Sequence, residues 1–152
     1  MKLLKTIIKA HDWTEVYKEG DLMWSGFQDE DVSLGSEMKL NRIPAMNHIC
    51  NKKTMGEILN KFKEYWPEMF GFFPKTYILP EHAERLEKKI NTSHGTFIAK
   101  RCHGDGVMLI KKLSDIPKIG YEEAIVQPYL SNPILMDKKK FDFRLYVLIT
   151  SV

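Results

Sequence analysis

An α+β fold is predicted, with a small N-terminal α/β part followed by a mostly antiparallel sheet with flanking helices. Three features predict it: helical periodicity in the first 90 residues, a change to strand-like segments from Thr96 onward, and glycine- or proline-marked turns between those segments. Hydrophobic residues make up 43% of the 152 and charged residues 28%, which suits a globular chain able to bury a core.

The elements follow in order. Leu3, Leu4, Ile7 and Ile8 recur as one face of a short first helix, whose other face is lysine-rich. Glu15–Lys18 and Leu22–Trp24 read as short strands divided by Gly20-Asp21. Residues 26–51 are polar and irregular, punctuated by Pro44. A helix is expected from Thr54 to Trp66, with Met55, Ile58, Leu59, Phe62, Tyr65 and Trp66 as its core-facing stripe and Pro67 as its stop. A strand over Thr76–Leu79 precedes Pro80, which suits the first turn of a helix burying Ala83, Leu86 and Ile90. Thr96–Lys100 and Val107–Ile110 flank the turn His103-Gly104-Asp105-Gly106, and strands are expected at Ala124–Leu130 and Phe141–Thr150. A composition boundary near Phe70–Pro74 divides the chain into 1–70 and 71–152. The apolar run ending at Val152 has no cap or polar tail, the pattern expected of a chain that stops inside a buried strand, although a terminal strand docked at a sheet edge reads the same way.

Bulk properties narrow the function classes. A net charge of +3 from scattered basic residues argues against a nucleic-acid binder and leaves room for an acidic partner. Cys50 and Cys102 are far apart, so no paired metal-ligand spacing exists, and isolated thiols fit a reducing compartment. The lysine-broken N-terminus lacks a signal peptide's apolar core, and no run reaches membrane-spanning length. A cytoplasmic monomer without membrane or metal ligands of its own is expected.

Three segments could carry chemistry. In a strand over Phe141–Thr150, alternation would put Lys140, Asp142 and Arg144 on one face and Phe141, Phe143 and Leu145 on the other. Two cations and a carboxylate in line suit a polyphosphate, although a solvated strand with surface ion pairs has the same pattern. Lys100, ending a strand before the Gly104/Gly106 turn, could fold over phosphates through backbone N–H groups; a plain hairpin reads the same way. The strand ending Gln127-Pro128-Tyr129-Leu130 could offer backbone groups to a flat heterocycle, or be simply a core strand.

Taken in order, the segments resemble the tubulin tyrosine ligase-like family, whose fold is of the ATP-grasp type. Asp21-Leu22-Met23-Trp24 is similar to the family's Asp-Leu-Tyr-Trp strand, and Asn41-Arg42-Ile43-Pro44-Ala45-Met46 to Asn-His-Phe-Pro-Gly-Met. Ile49-Cys50-Asn51-Lys52-Lys53 stands for Ile-Cys-Arg-Lys-Asp. Phe73-Pro74-Lys75-Thr76-Tyr77-Ile78-Leu79-Pro80 and Asn132-Pro133-Ile134-Leu135-Met136-Asp137, continuing into Lys140-Phe141-Asp142-Phe143-Arg144-Leu145, resemble family signatures. Arg101 replaces the family's proline after the lysine, and the loop to Gly106 is shorter than the family pattern.

The resemblance implies an incomplete ATP-grasp-like architecture: an N-terminal family domain over 1–70, a central domain over 71–152, and a C-terminal catalytic domain, with the Mg²⁺ ligands, beyond Val152. It implies ATP binding by Lys100, Gly104, Gly106, Gln127, Pro128, Tyr129, Leu130, Lys140, Phe141 and Asp142, with Lys140 and Arg144 in catalytic roles. The implied reaction activates a carboxylate as an acyl phosphate and forms an amide, adding glutamate to tubulin tails as in the polyglutamylase branch. Tubulin or microtubules, ATP and glutamate are the implied partners, with a cytoskeletal, ciliary or axonemal location. Two alternatives stay open: an inactive truncated protein that retains tubulin or nucleotide binding, and an ATP-grasp ligase with a small-molecule or other protein amine acceptor.

Overall fold

A computed structural model of the chain describes residues 2–17, 20–24, 38–43, 46–103, 106–117 and 122–149. The chain divides into two compact units, Met1–Asn47 and His48–Val152. The helix that the sequence analysis groups with residues 1–70 belongs to the second of these.

In the first unit, the expected helix is α1, Lys2–Ala10. Leu22–Met23 forms β1, which pairs in parallel with β2, Lys39–Leu40, in the register Leu22↔Lys39. β2 lies in the stretch read as irregular, of which 26–37 and 44–45 are outside the described residues. The strand expected at Glu15–Lys18 is not present over 15–17, and Lys18 lies outside the described residues. Two or three residues of β-prone composition make no ladder without a neighbouring backbone to pair with. Residues 46–50 form a short helix, α2.

The second unit is built on helix α3, Lys52–Tyr65. Asn51 caps it, its side-chain oxygen accepting from the N–H groups of Lys53 (2.9 Å) and Thr54 (3.3 Å). The helix ends at Trp66, the residue before a proline, which turns out of helical geometry. Pro67 then opens a separate single turn, α4, Pro67–Phe70, where its missing N–H costs nothing. The buried residues of α3 are Gly56 and Asn60, not its aromatics. Phe62, Tyr65 and Trp66 are exposed and contact one another and Phe70 instead.

Four strands form one antiparallel sheet in the order β3-β6-β4-β5: Tyr77–Ile78, Ala124–Pro128, Phe97–Arg101 and Val107–Ile110. Pro80 follows a cis Leu79–Pro80 bond and lies outside the next helix, α5, which spans Ala83–Ser93. The turn before α5 is closed by His82, whose N–H donates to the Ile78 carbonyl and whose Nδ1 accepts from the Ile78 N–H. Leu86 and Ile90 of α5 pack onto the face of the sheet carrying Tyr77, Phe97, Ala99, Ile110, Ala124 and Val126, and this is the core. Each large apolar side chain there contributes about 1.5–3 kcal/mol.

The expected strand Phe141–Thr150 is the main correction. Residues 141–149 carry no regular structure, 142–149 are exposed, and no ladder among the described residues pairs with them. Thr150 lies outside the described residues. The alternation of Phe and charge expresses a preference for one buried face; a strand also needs a partner edge. Just before it, β7 (Leu135–Met136) and β8 (Lys139–Lys140) form a hairpin instead. Asp137 and Lys138 both take positive φ (50° and 63°), as a two-residue hairpin turn requires. No helix among the described residues is long and apolar enough to cross a membrane.

Candidate functional site

The sheet register decides which side chains meet. Lys100 lies opposite Ile125 and Val107, and Ile98 opposite Gln127 and Leu109. All six therefore point to the face away from α5. Helix α3 packs over the β3–β6 side of that face. The β5 side is open: Val107 is 64% exposed and Leu109 54%. The result is an apolar shelf of Ile98, Val107 and Leu109 with a lysine at its edge.

Lys100 is half-buried, and its Nζ donates to Gln127 Oε1 at 2.9 Å. Gln127 is 5% exposed, and its Nε2 donates to Thr76 Oγ1 at 2.8 Å. Thr76, fully buried, donates its hydroxyl to the Pro74 carbonyl (3.2 Å). Asn60 of α3 clamps the Thr76 backbone on both sides, donating from Nδ2 to its carbonyl (2.7 Å) and accepting from its N–H at Oδ1 (3.1 Å). The buried polar side chains of Gln127, Thr76 and Asn60 thus each have a partner, which offsets the cost of burying them.

The electrostatics point one way. Burial, followed by the charges of Lys52 and Lys140, pushes the Lys100 ammonium below the ordinary lysine value. Its side-chain partner is a neutral amide, and no carboxylate pairs with it among the described residues. A half-buried cation flanked by two more cations, and held without being neutralised, favours an anion.

Of the residues expected at the site, Lys100 and Gln127 are bonded directly. Pro128 ends β6, and the Tyr129 N–H donates to the Thr96 carbonyl (2.9 Å), leaving Leu130 exposed beyond the last ladder bond. Alternation along β6 then turns the Pro128 carbonyl away from β4. Gly106 closes the β4–β5 turn, its carbonyl accepting from the Arg101 N–H (3.1 Å). A Cβ there would come within 2.8 Å of Arg101 Cδ, so a larger residue would require that side chain to shift. Gly104 lies outside the described residues. Lys140, on β8, is exposed yet near enough for its charge to act on Lys100. Phe141 is half-buried and stacks edge-on against Phe143 (5.3 Å), while Asp142 and Arg144 are exposed on the irregular segment. The hollow lined by Asp142, Phe143, Arg144 and Leu145 is made of consecutive residues alone and encloses nothing.

Sequence reasoning missed Lys52, Asn60 and Thr76. Lys52 had a readable signal: Lys52 and Lys53 open the first turn of α3, where the helix dipole favours acidic residues. Lys53 is accounted for by its ion pair with Glu81 (2.9 Å); Lys52 has no such ion pair among the described residues. Asn60 and Thr76 had no signal, because their bonds join residues 16 positions apart.

The profile of the tubulin-tyrosine ligase family matches residues 32–152. Similar proteins include the Homo sapiens tubulin polyglutamylase TTLL11, 35% identical over 147 residues, covering 87% of this chain and 20% of the relative. The Danio rerio tubulin polyglutamylase ttll6 is 34% identical over 158 residues, covering 97% of this chain and 19% of the relative. A probable beta-tubulin polyglutamylase of Tetrahymena thermophila is 33% identical over 139 residues, 85% of this chain and 11% of the relative. The chain therefore spans about a fifth or less of the length of these relatives. With four-fifths of its residues inside the family profile, this chain belongs to the tubulin-tyrosine ligase family.

Proposed function

We propose that this chain holds the nucleotide of an ATP-dependent ligase that adds glutamate to tubulin tails. The observation carrying the proposal is Lys100: a half-buried cation, held by a neutral acceptor and flanked by Lys52 and Lys140. A cation of that kind, with two further lysines whose charges reach it, fits a polyphosphate, and the partly open apolar shelf of Ile98, Val107 and Leu109 beside it fits a heterocycle's face.

In this reading Lys100, Lys52 and Lys140 meet the phosphates, and the glycines at 104 and 106 lie over them. The main chain from Gln127 to Leu130 recognises the adenine edge, with the Pro128 carbonyl as acceptor and the Leu130 N–H as donor. Phe141 packs beside the nucleotide, and Asp142 and Arg144 act toward the acceptor carboxylate once their segment is ordered. ATP, with Mg²⁺, supplies the phosphoryl group that activates a carboxylate for attack by an amine. The lysines' part is to lower the cost of gathering negative charge, and Gln127 keeps Lys100 aimed without cancelling it. Glutamate and tubulin come from the relatives' names, and microtubules are the corresponding cellular partner.

The test is calorimetric titration of the chain with Mg-ATP, then incubation with tubulin, ATP, Mg²⁺ and labelled glutamate. Saturable binding, weakened about tenfold or more by Lys100→Met, is expected. Affinity unchanged by that substitution would remove the phosphate assignment. Label on tubulin supports the ligase reading; label only on a small-molecule amine replaces it with another ligase, and binding without transfer with a nucleotide-binding protein.

A further inference from the structure

We propose that Thr76 is a positioning residue for Lys100: its buried hydroxyl sets the Gln127 carboxamide so that the carbonyl oxygen faces the lysine. The proposal rests on the reading of Lys100 as a phosphate-binding cation and adds what aims it.

A threonine hydroxyl has one proton and otherwise only accepts. The proton goes to the Pro74 carbonyl, 3.2 Å away. Toward Gln127 the same oxygen can therefore only accept, and it takes the Nε2–H at 2.8 Å. With its amide end fixed there, Gln127 presents Oε1 to Lys100 Nζ at 2.9 Å. Thr76 is itself held: Asn60 bonds both its backbone groups, and Gly56 lies so close that an added Cβ would be 2.8 Å from Thr76 Cγ2. Asn60 and Gly56 belong to the helix whose first residue is Lys52. The helix that begins at Lys52 is therefore tied to Lys100 through Asn60, Thr76 and Gln127.

The substitutions are Thr76→Val, which keeps the shape and removes the hydroxyl, and Thr76→Ser, which restores it. Two readouts are taken on the full chain: the Lys100 titration followed by NMR of labelled lysine, and the affinity for Mg-ATP compared with that for adenosine. In Thr76→Val the Lys100 midpoint should fall, because the ammonium loses its fixed acceptor, and Mg-ATP should weaken about tenfold with adenosine unchanged. Thr76→Ser should restore both. A folded Thr76→Val chain with the wild-type Lys100 midpoint overturns the proposal. Should the valine variant not fold, the wild-type chain decides: Gln127 Nε2 protons shielded from exchange and close to Thr76 support it, and Nε2 protons facing the Lys100 side chain overturn it. Absence of nucleotide binding in the wild type would refute the functional reading alone, since the titration and amide measurements still report on Thr76.

Discussion

Gln127 shows why residue type matters at this site. An amide gives Lys100 an acceptor and leaves its charge whole; a carboxylate would give the acceptor and remove the charge. Gln127→Glu keeps an acceptor for Lys100 but loses the bond to Thr76 and cancels the lysine's charge, so it is expected to weaken Mg-ATP binding about tenfold, read by calorimetry. The pH behaviour of Lys100 has a definite sign. Its folded pKa lies below the ordinary lysine value, chiefly through burial. Between the two values the unfolded chain binds more protons, so this group's contribution to stability rises with pH through that window and is lost again as pH falls through the folded pKa. Lys140→Ala removes one of the causes. The Lys100 midpoint should move up toward the ordinary value and remain below it, because burial is untouched; NMR titration with no movement would separate Lys140 from the site.

At the scale of elements, α3 departs furthest from its amphipathic pattern. Periodicity identified the helix but assigned its aromatic stripe to the core, whereas the contact with the sheet runs through Gly56 and Asn60. Glycine lets the helix approach Thr76 closely, and asparagine bonds the end of β3 as a neighbouring strand would. Gly56→Ala should raise helix propensity by about 1 kcal/mol and still destabilise the fold by about 1–3 kcal/mol, because the new methyl meets a fully buried side chain. Urea denaturation of the variant checks this, and a net gain in stability would mean that the helix can shift at no cost. The same contact explains what pattern analysis could not see. Gly56 and Asn60 score as poor helix residues, and their reason for being there lies 16 to 20 residues away in the chain.

For the second unit as a whole, order is expected to follow the ladders. Phe97–Arg101 and Ala124–Pro128 lie at the centre of the sheet, while 142–149 have neither ladder nor burial. In hydrogen exchange, amides of Ile98, Ala99 and Val126 should be the most protected and those of 142–149 should exchange at nearly unfolded rates. A protected 142–149 would show that the segment has found a partner edge. Asp142 and Arg144 sit on this segment, so the roles proposed for them require ordering that the sheet itself does not supply.

Sequence alone determined the α+β class, the existence of three helices (the first, one near 54–66 and one after Pro80), the central strands and the family, since these rest on local periodicity, turn residues and ordered motifs. It also picked out Lys100 and Gln127, as members of a motif. Tertiary structure alone decided that these two bond to each other, that Thr76 and Asn60 stand behind them, and that the charges of Lys52 and Lys140 reach Lys100. It decided too that 141–149 form no strand. The division has a physical cause. Side-chain pattern states which face a segment would bury, but hydrogen bonds between distant residues and pairing of a strand edge exist only once the partner is in place.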